Sequence, residues 1–178
     1  MKVKTVVTAF LTLGMISTSA LAIGVNSGQV TFDGTVVDTP CNLMPGQDGE
    51  DVKVPFGQLS MAQLNAGQSA VRDFTINLEG CSLTTTSGVP PVSATKTVSI
   101  TFNAMNTNAG NTLINAVGTA TGLGIGIQGY TFGTESVLNG MHDGKNPLKF
   151  HAVAKKADTA AVTAGTFSAV SNFTISYR

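Results

Sequence analysis

The sequence predicts an all-β sandwich, and two observations carry this prediction. Short segments in which apolar and polar residues alternate recur along most of the chain, and a period of two places one face of a strand in a core and the other in water. Turn-forming pairs such as Pro45-Gly46 and Asn139-Gly140 separate these segments, whereas helical character is confined to residues 60–68. About seven or eight short strands with frequent turns are typical of an immunoglobulin-like sandwich.

The N-terminus has the pattern of a secretory signal peptide over residues 1–22. Two lysines near the start supply a basic region, Val6–Ile16 is apolar, and Ala20-Leu21-Ala22 offers small residues for cleavage. The apolar run is shorter than the roughly 20 residues that a membrane span requires, which favours a cleaved signal over an anchor. We therefore predict an exported chain.

The predicted mature chain, residues 23–178, is nearly neutral. The whole sequence has ten basic and ten acidic residues, and loss of the two N-terminal lysines leaves a net charge of about −2. It contains two tyrosines and no tryptophan. Nucleic-acid binding requires phosphate-neutralising cations and aromatic stacking platforms, so the composition argues against it. The length suits one domain with a single core.

Two cysteines, Cys41 and Cys81, lie in this exported chain. In an oxidising compartment such a pair is expected to form a disulfide, and closing a loop of about 40 residues stabilises a fold by roughly 4 kcal/mol if chain entropy dominates. A metal site is the alternative. However, there is no Cys-x-x-Cys pair, and neither His142 nor His151 has ligand spacing to a cysteine. We predict a disulfide, and no metal or other cofactor.

The elements follow in order along the chain. The first predicted strand, Val30–Pro40, bends near Gly34. Val52–Leu59 is interrupted by Pro55, which places it at a sheet edge, and a short helix follows within residues 60–68. Further strands are predicted at Val71–Cys81, Val98–Phe102, Leu123–Phe132 and Leu148–Lys156, with a short apolar segment at Leu113–Val117 and loops at Ser82–Thr95 and Ser136–Asn146.

The C-terminal tail, residues 165–178, alternates along most of its length. One face carries Gly165, Phe167, Ala169, Ser171, Phe173, Ile175 and Tyr177. The other face is polar except for Val170. An apolar strand face with an unpaired edge needs a cover, because an open edge is a template for aggregation. Taken alone, this pattern fits the last strand of a complete sandwich.

Several patterns that resemble catalytic or modification motifs have simpler interpretations. Gly124–Gly129 spells G-x-G-x-x-G, but no helix signal follows it, which favours a closely packed strand over a nucleotide site. Asn172-Phe173-Thr174 is a glycosylation sequon that we attribute to chance. His142 is predicted in an exposed turn, and His151 on the solvent face of a strand. Because no nucleophile–base arrangement is present, we predict that the chain is not an enzyme.

Several segments together resemble the pilin subunits of chaperone–usher fimbriae, the type 1 and P pilus kind. The matching segments are VTFDGTVVDTPC after a short N-terminal arm, VPFGQLS, FTINLEGC, LGIGIQ and LKFHAVAK. The tail adds a glycine fourteen residues from the end, Gly165, and an aromatic residue at the penultimate position, Tyr177. The resemblance covers the predicted mature chain. It departs near Ala154, where the family often has a tyrosine.

The resemblance implies an incomplete immunoglobulin-like sandwich that lacks its last strand and is completed by a donor strand from another chain. Residues 23–32 would be the donor arm, and residues 33–178 the pilin domain. The arm would present Gly28, Val30 and Phe32 on one face, although the sequence does not fix the register. The acceptor groove and chaperone-binding surface would comprise Gly165, Phe167, Ala169, Phe173, Ile175 and Tyr177.

The resemblance also implies partners and a location. The partners would be a periplasmic chaperone, an outer-membrane usher and neighbouring pilin subunits, and the location a fimbria on the bacterial surface. The implied function is that of a structural subunit that polymerises by donor-strand exchange and supports adhesion. Two alternatives remain open: a minor or adaptor pilin of the same fimbria, and a self-contained, secreted, carbohydrate-binding β-sandwich. The sequence does not identify a host receptor.

Overall fold

The computed structural model describes residues 28–157 and 160–178. The chain divides into two units, residues 1–36 and residues 37–178. The predicted signal peptide, residues 1–22, lies outside the described residues, as do the first five residues of the predicted arm. None of the described helices is long and apolar enough to span a membrane.

The described part of the first unit has no helix or strand. Residues 28–36 are all exposed, with Val30 at 74% and Phe32 at 91%. The strand predicted at Val30–Pro40 is therefore wrong for the isolated chain. Side-chain alternation marks two faces, but a strand also requires a hydrogen-bonded neighbour, and none pairs with this segment among the described residues.

Twelve strands are the main regular elements described in the second unit. They are β1 (Asn42–Leu43), β2 (Ala70–Cys81), β3 (Thr84–Ser87), β4 (Val92–Thr95), β5 (Val98–Asn103), β6 (Ile114–Asn115), β7 (Val117–Gly118), β8 (Leu123–Ile127), β9 (Glu135–Leu138), β10 (Gly144–Lys156), β11 (Phe167–Ser168) and β12 (Asn172–Tyr177). A 3-10 helix spans Gly46–Asp48, and one α-helix, α1, spans Met61–Asn65.

These strands form two main sheets and two small ones. The larger sheet has the order β1-β2-β10-β8-β6, and the second has the order β12-β5-β9. The pair β11-β7 and the hairpin β3-β4 stand apart from them. All recorded pairings are antiparallel. The architecture is the predicted all-β, immunoglobulin-like sandwich.

The long pair β2 and β10 builds one wall of the core. Ile76 lies opposite Leu148 and Phe74 opposite Phe150, so alternate residues of both strands point to the same side. The rings of Phe74 and Phe150 stack with centroids 5.3 Å apart. From the second sheet, Phe102 on β5 meets Phe150 edge-on at 5.2 Å. The side chains on the predicted apolar faces of these strands thus pack between the two sheets.

A smaller apolar cluster lies around α1. Ser60 caps this helix by accepting a hydrogen bond from the Gln63 backbone at 3.4 Å, as the sequence predicts. The Asn65 side chain bonds both backbone groups of Val162, at 3.0 and 2.8 Å. Leu64 and Val162 are buried here, together with Phe56, Leu123, Ala152 and Ala154. This bond pair ties the helix to the segment that leads into β11.

Three local predictions are wrong. Val52–Leu59 is not a strand, because no described strand pairs with it; Gln47 bonds both backbone groups of Lys53 at 2.9 Å. Residues 82–95, predicted as a loop, contain the hairpin β3-β4, whose strand residues are all exposed and so leave no alternation to read. The predicted loop at residues 136–146 contains most of β9 and the start of β10.

The motif-like residues have structural roles. Gly124 and Gly126 lie in β8, where a Cβ on Gly126 would stand 2.6 Å from the Thr112 carbonyl oxygen, so this is a closely packed strand. His151 is exposed, and its Nδ1 lies 2.7 Å from an oxygen of Asp73 on β2. His142 is exposed in the turn before β10.

The structure joins Cys41 to Cys81 in a disulfide that links two positions 40 residues apart. Both cysteines are buried in the main core. If the bond acts mainly by limiting the unfolded chain, the Cys41→Ser/Cys81→Ser double variant should lose about 4 kcal/mol of unfolding free energy. Urea unfolding of both proteins measures this loss. The control is the same comparison in strong reductant, where the difference should vanish; a persistent gap would assign the loss to packing.

Asp143 should make stability depend on pH. Its Oδ1 accepts hydrogen bonds from the backbone of Leu83 at 2.5 Å and Thr84 at 3.1 Å, and these bonds lower the pKa of its carboxyl. The contribution is therefore present above the ordinary carboxyl pKa of about 3.9 and is lost as pH falls through the lower folded-state value. We expect Asp143→Asn to reduce the urea midpoint at pH 7, and this difference to shrink near pH 2.

The matched control is Asp38→Asn, because the Asp38 carboxylate has no hydrogen-bond partner among the described residues. Its urea midpoint should follow that of the unmodified chain at both pH values. A difference for Asp143→Asn that stays constant from pH 7 to pH 2 would contradict the assignment.

Candidate binding groove

A groove of about 780 Å³ opens between two edges of the sandwich. One wall consists of residues 165–173, at the start of the C-terminal strands, and the other of residues 50–57. The floor is apolar and consists of Phe74, Ile76, Phe102, Ile114, Ile125, Ile127, Phe132 and Ala152. Six of these eight side chains are at most 9% exposed, so the floor of the groove is the packed surface of the core.

The C-terminal wall follows the predicted alternation. All of residues 165–173 line the groove, and these include Gly165. Phe167, Ala169 and Phe173 are partly buried, whereas the intervening residues 168, 170 and 172 are exposed. The Phe167 ring lies 6.2 Å from that of Phe56 on the opposite wall, and the Phe173 ring 6.4 Å from that of Phe102 on the floor. Val170, on the other face, is 72% exposed.

Ile175 and Tyr177 occupy the same face farther along β12. They do not line the groove but are partly buried against the main core. This burial raises the pKa of the Tyr177 phenol above its ordinary value. Of the six predicted acceptor residues, the structure places four along the groove and two on the core past its end.

Strand β12 has one paired edge and one open edge. It is the outer strand of the order β12-β5-β9. Arg178 and Thr97 exchange both backbone hydrogen bonds, at 2.9 and 2.6 Å. Since hydrogen-bonded and non-bonded pairs alternate in an antiparallel ladder, the backbone groups of Phe173, Ile175 and Tyr177 point away from β5. No described strand pairs with that side.

Gly165 is needed because two backbones come very close. A Cβ on Gly165 would lie 2.4 Å from the Ala120 nitrogen and 2.6 Å from the Thr119 carbonyl carbon. The Ala120 nitrogen donates to the Thr166 carbonyl at 3.0 Å, which holds this approach in place. The glycine noted in the sequence pattern thus lets the wall bend against β7 where the groove begins.

The opposite wall was not predicted as part of the site. Val52, Val54 and Phe56 alternate inward with exposed neighbours, and Pro55 between them has no amide hydrogen to donate. These residues have the side-chain pattern of a strand without a ladder partner. The floor residues come from five separate strands and the adjoining turn, so only the folded topology brings them together.

The chemistry of the groove suits an extended apolar peptide. Its charged residues are Glu50, Asp51 and Lys53, all on one rim, and Lys53 lies 3.6 Å from Asp51. Within the described ranges, no cluster of His, Cys, Asp or Glu has the geometry to hold a metal ion. An apolar floor between two backbone edges with unused hydrogen-bonding groups is the geometry that an added β-strand fills.

Comparisons with known proteins agree with this arrangement. A family model described as Fimbrial protein matches residues 30–178. The Fimbria A protein of Serratia marcescens is 33% identical over 185 residues, covering 100% of both chains. The Pap fimbrial major pilin protein of Escherichia coli is 36% identical over 182 residues, covering 93% of this chain and 96% of that protein.

Solved structures show the same similarity. A chain from the structure of a chaperone–usher pilus has a TM-score of 0.74 at 35% identity, covering 89% of this chain and 100% of that one. The P pilus rod subunit PapA has a TM-score of 0.66 at 31% identity, covering 79% of this chain and 100% of that one. The chain therefore belongs to the fimbrial protein family and is a structural subunit of a bacterial surface fimbria.

Proposed function

We propose that the groove accepts a β-strand from another chain and that the subunit polymerises by donor-strand exchange. The observation that carries this proposal is the open edge of β12 beside a groove with an apolar floor. A strand laid along residues 165–173 and on beside β12 would cover the floor with alternate side chains and bond the outward backbone groups of Phe173, Ile175 and Tyr177. Donor-strand complementation of pilins is an established form of strand addition.

The proposed donor is the arm, residues 23–32, of a neighbouring copy. Gly28, Val30 and Phe32 share one strand face by parity. Val30 and Phe32 are 74% and 91% exposed. Burying each would be worth about 1.5–3 kcal/mol, so a seated arm gains from apolar burial as well as from hydrogen bonds. Gly28 adds no side chain and suits a shallow part of the groove.

The arm and the groove belong to opposite ends of one chain, with residues 33–178 as the proposed acceptor domain. Each copy would therefore offer one donor and one acceptor. A contact between two different surfaces of the same molecule is heterologous and extends into an open-ended polymer unless rotation closes it. The related P pilus protein is a rod subunit, and the related Pap protein is a major pilin. We propose the same rod-forming role here.

The open groove also requires a partner before polymerisation. An uncovered apolar channel with a free strand edge is an aggregation hazard. We propose that a periplasmic chaperone covers the groove first and that the donor arm replaces it at an outer-membrane usher. Co-elution of the exported chain with one chaperone in a one-to-one complex is the supporting result.

Deletion of residues 23–32 should separate the donor and acceptor functions. The truncated chain retains the groove, so it should accept an arm from an unmodified subunit but should not donate one. We expect no polymer from the truncated chain alone, and shorter polymers when it is mixed with the unmodified chain, as measured by electron microscopy. Long polymers formed by the truncated chain alone would contradict the proposal.

A bulky residue at Gly28 should hinder seating of the arm. Overpacking a fitted site costs about 1–3 kcal/mol, so Gly28→Trp should slow donor-strand exchange about tenfold while the variant still accepts an unmodified arm. Gln29→Trp is the matched control, because residue 29 lies on the opposite strand face. Exchange can be followed by the appearance of polymer bands in gels. Equal rates for the two variants would overturn this arm register.

A further inference from the structure

The end of β12 is tied across the sheet by an ion pair outside the groove. Arg178 Nη1 lies 2.9 Å from Glu135 Oε1, and Arg178 Nη2 donates to Glu135 Oε2 at 3.0 Å. The guanidinium therefore forms two parallel hydrogen bonds with the carboxylate, and this bidentate form is stronger and more directional than a single bond. Arg178 follows β12 and Glu135 begins β9, so the contact bridges the two outer strands of a three-stranded sheet.

Ser99 on the middle strand completes the contact. Glu135 lies opposite Thr101, and Arg178 exchanges bonds with Thr97, so Ser99 stands midway between them on the same face of β5. Its hydroxyl donates to Glu135 Oε1. Ser99 is 3% exposed, so this carboxylate satisfies a buried polar group. All three strands of the sheet contribute one member to the network.

The network stabilises the ionised form of the Glu135 carboxylate. The hydrogen bond from Ser99 has the largest effect and that from Arg178 the next, and together they lower the pKa of Glu135. Exposed single ion pairs contribute little to stability. This one differs from them in its bidentate geometry and in its bond to a buried hydroxyl.

The position of the network matters because β12 is weakly held elsewhere. Its one ladder, with β5, runs from Asn172 to Tyr177, and its other edge is open. The preceding segment is anchored at Val162 by Asn65 and at Thr166 by Thr119. Val170, which is 72% exposed, lies between the anchor at Thr166 and the ion pair at Arg178. Loss of the far anchor would leave the open-edged strand held by its ladder with β5 and by the partial packing of Phe173, Ile175 and Tyr177 on the core.

We propose that Ser99, Glu135 and Arg178 form a latch that holds β12 in register with β5 while the outer edge of β12 has no partner. Glu135 is a positioning residue: it does not line the groove, but it keeps the backbone groups of Phe173, Ile175 and Tyr177 aligned for an incoming strand. The part of this inference that concerns the incoming strand rests on the proposed donor-strand function. The latch itself does not.

Amide hydrogen exchange in the purified mature chain tests the latch. The amides of Asn172, Thr174 and Ser176 bond to β5, so their exchange reports opening of β12. Glu135→Gln should raise their exchange rates about two- to fivefold, the range for a surface ion pair of good geometry. Arg178→Lys keeps the positive charge but loses the bidentate contact, so it should raise the exchange rates less. Combining the two changes should add little to Glu135→Gln.

Asp73→Asn is the matched control, because it breaks the exposed contact with His151 on the other sheet and should leave β12 exchange unchanged. Unchanged β12 exchange in both Glu135→Gln and Arg178→Lys would overturn the latch. An equal rise in β2 and β10 would also overturn it, since that outcome indicates general destabilisation. The exchanged pair Glu135→Arg/Arg178→Glu should restore part of the protection.

A peptide of residues 23–38 separates the latch from the proposed function. If the arm fills the groove, adding the peptide should protect β12 and remove the difference between Glu135→Gln and the unmodified chain. Failure of the peptide to protect β12 in the unmodified chain would count against donor-strand binding. The latch would still be tested by the β12 exchange rates measured without peptide. If the peptide protects β12 but Glu135→Gln still exchanges faster than the unmodified chain, a latch that acts only while the edge is open would be contradicted.

Discussion

The structure depends on one unsatisfied constraint: β12 has a partner on one edge only. Its apolar side chains pack partly against the core, but its outward backbone groups have no described partner, and an apolar groove lies beside it. A sandwich normally closes its core between two complete sheets. Here a groove of about 780 Å³ runs along one side of the core. The fold is complete enough to shape this groove, and the proposed donor strand would fill it.

The remaining features hold this open state in place. The disulfide between Cys41 and Cys81 and the long pair β2-β10 build the body of the domain. Asn65 fixes the segment before β11, and the close approach at Gly165 sets the start of the wall. None of these contacts closes the groove. A frame that is already in place lowers the ordering cost of binding, which would favour the proposed exchange of one strand for another.

The sequence predicted the elements whose two faces differ and missed those whose faces do not. Val98–Phe102 alternates because one face is buried, whereas the hairpin β3-β4 is exposed on both faces. Val30–Pro40 and Val52–Leu59 alternate but are not strands, since alternation reports side-chain faces and not hydrogen-bonded partners. The alternation of the C-terminal wall could be predicted residue by residue. The groove floor could not be predicted, because its residues are distant from one another in the sequence. The pairing of Glu135 with Arg178 could not be predicted either, because no local sequence pattern marks it.

The central claim is that the groove of one subunit holds the arm of another. The most direct measurement is a structure of the assembled filament at a resolution that traces the backbone. We predict continuous density for residues 28–32 of one copy lying along residues 165–173 of the next, with Val30 and Phe32 facing the apolar floor. An empty groove in the filament, or a groove filled by any segment other than a neighbouring arm, would contradict the account.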